Sequence, residues 1–417
     1  AYYPPLGSIW FSSLHIDLMT PQIGDHGFST YIHEIGHALG LDHMGDYNGS
    51  DDDGPSSYQD STVLSVMSYY GPQLQRGNGD VMWGNWSHQA DGHPYATQTP
   101  MLNDILAIQA MYGAAITRTD DTTYGFGSTV QGDAAILYDF NLNTHPILTL
   151  YDSGGIDTLN LSGWSTDSNV DLRPGHYSSV NGMTNNLAIA HDVIIENVIA
   201  GAGNDGIYTN AANNYLDGGA GFNAAFFSGV FSNYDIDFNL SNRHYTVHDT
   251  SGADGTDTLI NIQSAVFENF GGNLNDLTPQ VHRFYNETSN THFFTANNDE
   301  AYTLLQQGGF QYEGIAFDRN VTPDDNSIDV VRFYNAYSQS HFYSADLNEI
   351  NDVLQMDFMT YEGTAFKAYK ELTDDTTAVH RFYNTNTHSH LYTADAGEVA
   401  HLSLTGSFEY EGVAFYA

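Results

Sequence analysis

The sequence predicts an α+β chain that is mostly β. A helix-bearing amino-terminal region is followed by a parallel β-roll or β-sandwich module and by a pseudo-threefold, closed, β-rich repeat domain. Three observations lead there. The 417 residues include 40 Gly, and Gly together with abundant Asn and Asp supplies the positive φ that tight turns require. Helical periodicity is confined to the first quarter of the chain. The last third repeats itself. At about 150 residues per domain the length predicts two to four domains, placed by texture at 1–114, 115–277 and 278–417.

Composition excludes several classes. The 51 Asp and Glu outweigh 10 Lys and Arg, for a net charge of −41. Such a surface repels nucleic acid and anionic membranes. Hydrophobic residues at 41% and aromatics at 13% are what a disordered acidic chain lacks. The absence of Cys removes disulfides, thiolate metal sites and cysteine nucleophiles. No apolar run nears the roughly 18 residues of a membrane span. The opening AYYPPLGSIW lacks the layout of a signal peptide, so an exported chain has shed its leader or carries its signal elsewhere.

In chain order, apolar residues at helical spacing predict helices over Thr30–Leu41 and Met101–Tyr112. From 115 to 277, runs such as ILTLYDSGGIDTLNLSG predict short strands between tight turns. Beyond 278, HRFYN, VRFYN and HRFYN begin at His282, Val331 and His380, a strict period of 49. Each unit continues with an aromatic segment (His292, His341, His390), a Glu (Glu300, Glu349, Glu398) and a YEG (Tyr312, Tyr361, Tyr410). Two strands, a helical or turn segment at the Glu and a third strand fit this order. Three copies without distinct caps predict closure around a pseudo-threefold axis.

The chemistry concentrates in HEIGHALGLDH, residues 33–43. His33 and His37, four apart on a helix, share one face and can both reach a divalent ion. Glu34 is placed to take a proton from a metal-bound water, and Gly40 permits the turn that returns His43 as third ligand. A Met turn, SVMSYY with Met67 and Tyr69, follows at the metzincin spacing. One catalytic zinc and hydrolysis of peptide bonds are the expectation.

HEIGHALGLDHMGDYN, SVMSYY and LNDILAIQAMYGA resemble the serralysins, secreted bacterial zinc endopeptidases of the metzincin clan. That resemblance implies that Tyr69 ligates zinc and then supports the oxyanion. It also implies a module binding several structural calcium ions through RTX-type glycine-rich repeats. Carbonyls of Arg118, Asp120 and Gly154 with carboxylates of Asp152 and Asp157 would hold one ion. Asp157, Glu196 and the Gly155 carbonyl would hold a neighbour, and Gly201, Gly203 and Asp205 would serve the glycine-rich turn. Only AGAGNDGIY meets the repeat pattern well, because Phe222 and Asn223 stand in GGAGFNAAF, so a short roll is expected. Only 32 residues precede His33, so by that resemblance the expectation is a truncated metzincin core with most of its upper lobe missing, to be completed by a second chain or a released fragment.

In the carboxy-terminal repeats, Arg283, Arg332 and Arg381 with Tyr285, Tyr334 and Tyr383 are candidate pockets for glycan or cell-wall material. The leading expectation is therefore a secreted zinc metalloendopeptidase acting on polypeptides. The alternative is a non-catalytic carbohydrate- or cell-surface-binding protein that carries an incomplete protease core.

Overall fold

A computed structural model describes residues 9, 11–14, 16–47, 54–72, 82–87, 93–322 and 325–417. The chain divides into two compact units, one of residues 1–234 and 248–271, the other of 235–247 and 272–417. The fold is mostly β with few helices.

In the first unit, helix His26–Ala38 begins a turn earlier than its apolar spacing suggests and stops before Gly40, whose φ of +97° continues no helix. Helix Leu102–Tyr112 likewise ends at Gly113, with φ +84°. Asp104, at the third position of that helix, accepts the Met101 N–H at 2.8 Å and so closes its amino terminus.

The parallel roll follows. Strands Thr123–Gly125, Thr158–Asn160, Asn197–Ile199, Tyr215–Asp217 and Thr256–Ile260 pair side by side in parallel. Asn169–Asp171, Gly206–Tyr208, Ala224–Phe226 and Ser264–Val266 do the same in a second sheet. From Asn197 to Phe226 the chain alternates between the two sheets. Each of these strands is three residues long except Thr256–Ile260, which has five, and each points a buried residue inward: Leu159, Val198, Leu216 and Leu259 in one sheet, Val170, Ile207, Ala225 and Ala265 in the other. The glycines at the turns stack backbone on backbone. A Cβ on Gly219 would lie 2.0 Å from the Gly201 carbonyl oxygen, and one on Gly221 2.1 Å from that of Gly203.

In the second unit each 49-residue repeat forms a hairpin, a helix and a return strand. The first is Gln280–Asn286, Thr291–Thr295, Asn298–Gln307 and Phe310–Asp318. Asn297, Asp346 and Asp395 cap the three helices by accepting the N–H of Glu300, Glu349 and Glu398. Val281, Phe294 and Phe317 meet their register equivalents Val330, Tyr343, Phe366 and Val379, Tyr392, Phe415 in one core. The ring closes, because the carboxylate of Glu300 binds Arg332, that of Glu349 binds Arg381 and that of Glu398 binds Arg283.

Candidate metal centre

Helix His26–Ala38 presents His33 and His37 one turn apart, and the positive-φ turn at Gly40 brings His43 back to them. One ring nitrogen of each lies within 4.8 Å of the others, the only such cluster of three His, Asp or Glu among the described residues. The Nε2 atoms of His37 and His43 are 3.0 Å apart.

The other nitrogen of each ring is tied to a backbone carbonyl. His33 Nδ1 meets Val66 O at 2.8 Å, His37 Nδ1 meets Leu41 O at 2.7 Å, and His43 Nδ1 meets Tyr47 O at 2.8 Å. A carbonyl only accepts, so all three Nδ1 atoms carry a proton, the arrangement that leaves Nε2 as the metal-facing atom. Burial, followed by repulsion from His37 and His43, pushes the His33 imidazole down to about 4, which keeps it neutral. Three converging imidazoles are a donor set that zinc takes.

Buried carboxylates that the motif does not reveal hold this arrangement. Asp104 accepts the Ser65 hydroxyl at 2.6 Å and the Val66 N–H at 2.8 Å, fixing the segment whose carbonyl orients His33. Asp60 accepts the Tyr47 and Ser68 hydroxyls at 2.8 and 2.7 Å. Tyr47 in turn stacks its ring on His43 at 5.4 Å and 17°. No motif in the sequence singles out Asp104, whose bonds to Ser65 and Val66 span 39 and 38 residues. Met67 is buried against helix His26–Ala38, and a Cβ on Gly36 would lie 2.6 Å from its sulfur.

Tyr69 lies over the triad, its ring 4.4 Å from His43 and 5.8 Å from His33. Burial and the neighbouring Glu34 carboxylate raise its phenol above the ordinary value, so the hydroxyl remains a donor at neutral pH. Glu34, His33 and Tyr69 line one cleft of about 500 Å³, together with Thr97 and Trp86.

Asp152 accepts the Tyr124 hydroxyl at 2.5 Å and the N–H groups of Ser153 and Gly154 at 2.6 and 3.0 Å. Gly155 lies against the Asp120 carbonyl, which a Cβ there would approach to 2.7 Å. Glu196 accepts the Asp157 N–H at 2.7 Å, and Asp157 accepts that of Thr122 at 2.8 Å. Burial, then the carboxylates of Asp152, Glu196 and Asp121, push Asp157 up to about 7. A cation would relieve that crowding. Arg118 adopts φ +50° while its guanidinium bonds the Tyr151 carbonyl.

Gly201 and Gly203 lie against the Trp164 and Thr166 carbonyls. Asp205 Oδ1 accepts the Ser168 N–H at 2.7 Å, and its buried Oδ2 bonds nothing. An orphaned buried carboxylate oxygen fits a hard cation. One rung on, Asn223 Oδ1 accepts the Asp205 N–H at 2.9 Å while Nδ2 donates to the Asn261 carbonyl at 2.9 Å. Its amide fills with a donor the place where a carboxylate would need a cation.

The repeats correct one expectation. Arg332 and Arg381 bind Glu300 and Glu349 through two nitrogens at 2.9–3.0 Å, and their Nε atoms bind Glu362 and Glu411 at 2.8 and 2.7 Å. Arg283 bridges Glu398 and Glu313 at 2.8 and 2.9 Å. The guanidinium forks are filled by carboxylates of two repeats instead of standing open for sugars. The Tyr285 hydroxyl bonds Asn290, Tyr383 bonds His388, and the Tyr334 ring lies 5.3 Å from His341.

Residues 114–306 match the family described as peptidase M10 serralysin C terminal, and residues 280–417 match a domain of unknown function (DUF5648). Serralysin of Proteus mirabilis is 42% identical over 216 residues, 50% of this chain and 41% of that protein. Serralysin C of Dickeya chrysanthemi is 39% identical over 216 residues, 49% and 42% of the two chains. Serralysin of Photorhabdus luminescens is 40% identical over 213 residues, 49% and 40%. The chain thus spans about two fifths of the length of these relatives, and about half of it is similar to serralysins at close to 40% identity.

Proposed function

We propose that the chain is a secreted zinc-dependent endopeptidase stabilised by calcium. The observation that carries the reading is the triad, in which every Nδ1 is bound to a carbonyl and one ring nitrogen of each histidine lies within 4.8 Å of the others, beside a cleft lined by His33, Glu34 and Tyr69. His33, His37 and His43 would hold the ion. When bound, zinc supplies the Lewis acid that makes water nucleophilic near neutral pH.

Glu34 is the base in this reading. It is buried at the cleft floor one residue from His33, takes a proton from the attacking water and delivers it to the leaving amide nitrogen. The Tyr69 hydroxyl, kept protonated, donates to the oxygen on which negative charge develops. The similarity to serralysins supports a polypeptide substrate and a secreted setting. Calcium is supported by the orphaned Asp205 oxygen and the crowded carboxylates around Asp157.

Cleavage of an unstructured quenched-fluorescence peptide library by the zinc-loaded chain tests the reading. Glu34→Ala should lower turnover by at least about a hundredfold while one zinc per chain remains bound. Equal turnover in both proteins, or none in the wild type at full zinc occupancy, refutes it.

A further inference from the structure

The second unit contains its own controls. All three seams between repeats carry the Arg, the two Glu and the His that close the ring. What differs at one seam is therefore not needed for closure. Between the second and third repeats, Met356 and Phe358 are 41% and 47% exposed. At the same register the first repeat has Gln307 and Gly309, and the third has Thr405 and Ser407. Asp352 likewise replaces Thr303 and His401. Folding alone gives no reason to place an aromatic ring and a thioether in water there.

These residues line a cleft of about 700 Å³, within the size range of small-ligand sites. Its polar wall holds Asp346, Glu349, Asp352 and Glu411 against Arg381 and His390, the latter already paired with Glu411 at 3.4 Å. Arg381 is already committed to Glu349 and Glu411 and lies over the Phe342 ring at 5.3 Å. An anionic ligand would meet net repulsion, and a purely apolar one would strand the carboxylates. A cation on an apolar stem satisfies both walls.

We propose that this cleft docks a basic polypeptide segment. The methylenes of a Lys or Arg side chain would lie along Met356 and Phe358, with the charged head among Glu349, Asp352 and Glu411. A chain with 10 basic residues has few such segments of its own, and a net charge of −41 attracts them from outside. This inference stands apart from the zinc reading.

The test uses the full Glu34→Ala chain, so that no cleavage intervenes, and a fluorescein-labelled (Lys-Gly)4 peptide. Anisotropy is read near 0.15 M salt, where long-range attraction is screened beyond about 8 Å. The substitution pair Met356→Thr with Phe358→Ser installs the third repeat's residues and leaves net charge unchanged. Affinity should fall by at least about tenfold with an unchanged melt, since two apolar contacts are lost. Asp352→Thr, a helix residue the first repeat already carries, should weaken binding by a few fold and serves if the double variant misfolds. Unchanged affinity in these variants, or equal binding of (Glu-Gly)4, overturns the proposal. Displacement of the probe by a glucosamine oligomer at lower concentration than by unlabelled (Lys-Gly)4 overturns the polypeptide assignment in favour of an amino sugar.

Discussion

At the centre of the repeat ring two tyrosines stitch neighbouring repeats together. The Tyr343 hydroxyl donates to Phe294 O at 2.7 Å and accepts Phe294 N–H at 3.0 Å. Tyr392 does the same to Tyr343 at 2.7 and 2.9 Å. The third ring in the cycle is Phe294. It meets Tyr392 at 5.8 Å and 84°, close to the 5.7 Å and 89° and the 5.4 Å and 81° of the other two pairs, but it has no hydroxyl to give. Phe294→Tyr should complete the cycle at the Tyr392 peptide group. Two buried hydrogen bonds contribute roughly 1–2 kcal/mol, or about 2–8 °C in a unit of this size. Differential scanning calorimetry of the full chain reads the shift in the transition of the second unit. The reverse change, Tyr343→Phe, leaves a buried peptide group unpaired and should cost about 1–3 kcal/mol. A Phe294→Tyr protein that melts no higher, while Tyr343→Phe melts lower, would show that the third seam does not repeat the geometry of the other two.

Two further predictions concern the roll. Asn223→Asp would set a carboxylate oxygen against the Asn261 carbonyl that the amide now satisfies. The variant should lose about 1–3 kcal/mol in chelator and recover with calcium by more than the wild type does, read as melting temperature with and without the ion. A calcium response equal to the wild type's refutes the idea that this amide stands in for a cation. Asp257 is pushed from the usual 3.8 up to about 8 by burial, then by Asp254 and Asp249, although it accepts the Asn214 N–H at 2.7 Å. Between about pH 4 and 8 the folded chain retains a proton that the unfolded chain has released. Stability should therefore fall as pH rises through that window. Asp257→Asn keeps the acceptor and removes the titration, so urea midpoints in EDTA should lose that slope. A slope unchanged in the variant assigns it to other groups.

The histidine triad was legible because its geometry is local: a helix fixes His33 and His37, and one glycine turn fixes His43. What orients it was not, since the carbonyls of Val66 and Tyr47 and the carboxylate of Asp60 come from loops, and that of Asp104 from a later helix, whose approach no spacing encodes. The roll was legible as short strands with glycine turns, but its register was not. Only the register reveals that Asn223 repeats the position of Asp205 on the neighbouring rung. For the repeats, the 49-residue period shows that Arg283, Arg332 and Arg381 are equivalent. It leaves open which Glu each meets. The structure pairs each with the Glu of the preceding repeat, and the first with that of the last, an outcome fixed by closure.

The carboxylates do different work in the two units. In the roll they accept backbone N–H groups between rungs, as Asp157, Glu196, Asp205 and Asp257 do. Such groups crowd one another with little basic side-chain charge nearby, and the buried ones are driven toward protonation unless a metal ion arrives. In the repeat ring Glu300 and Glu411 are held below their usual range despite burial, because Arg332 stands beside the first and His390 and Arg381 beside the second. A shared acidic composition thus conceals two electrostatic designs, one that divalent ions would complete under the proposed function and the other completed by guanidinium groups. Chelation should reach the first and leave the second intact. That asymmetry follows from where a few basic side chains were placed, and the net charge alone gives no sign of it.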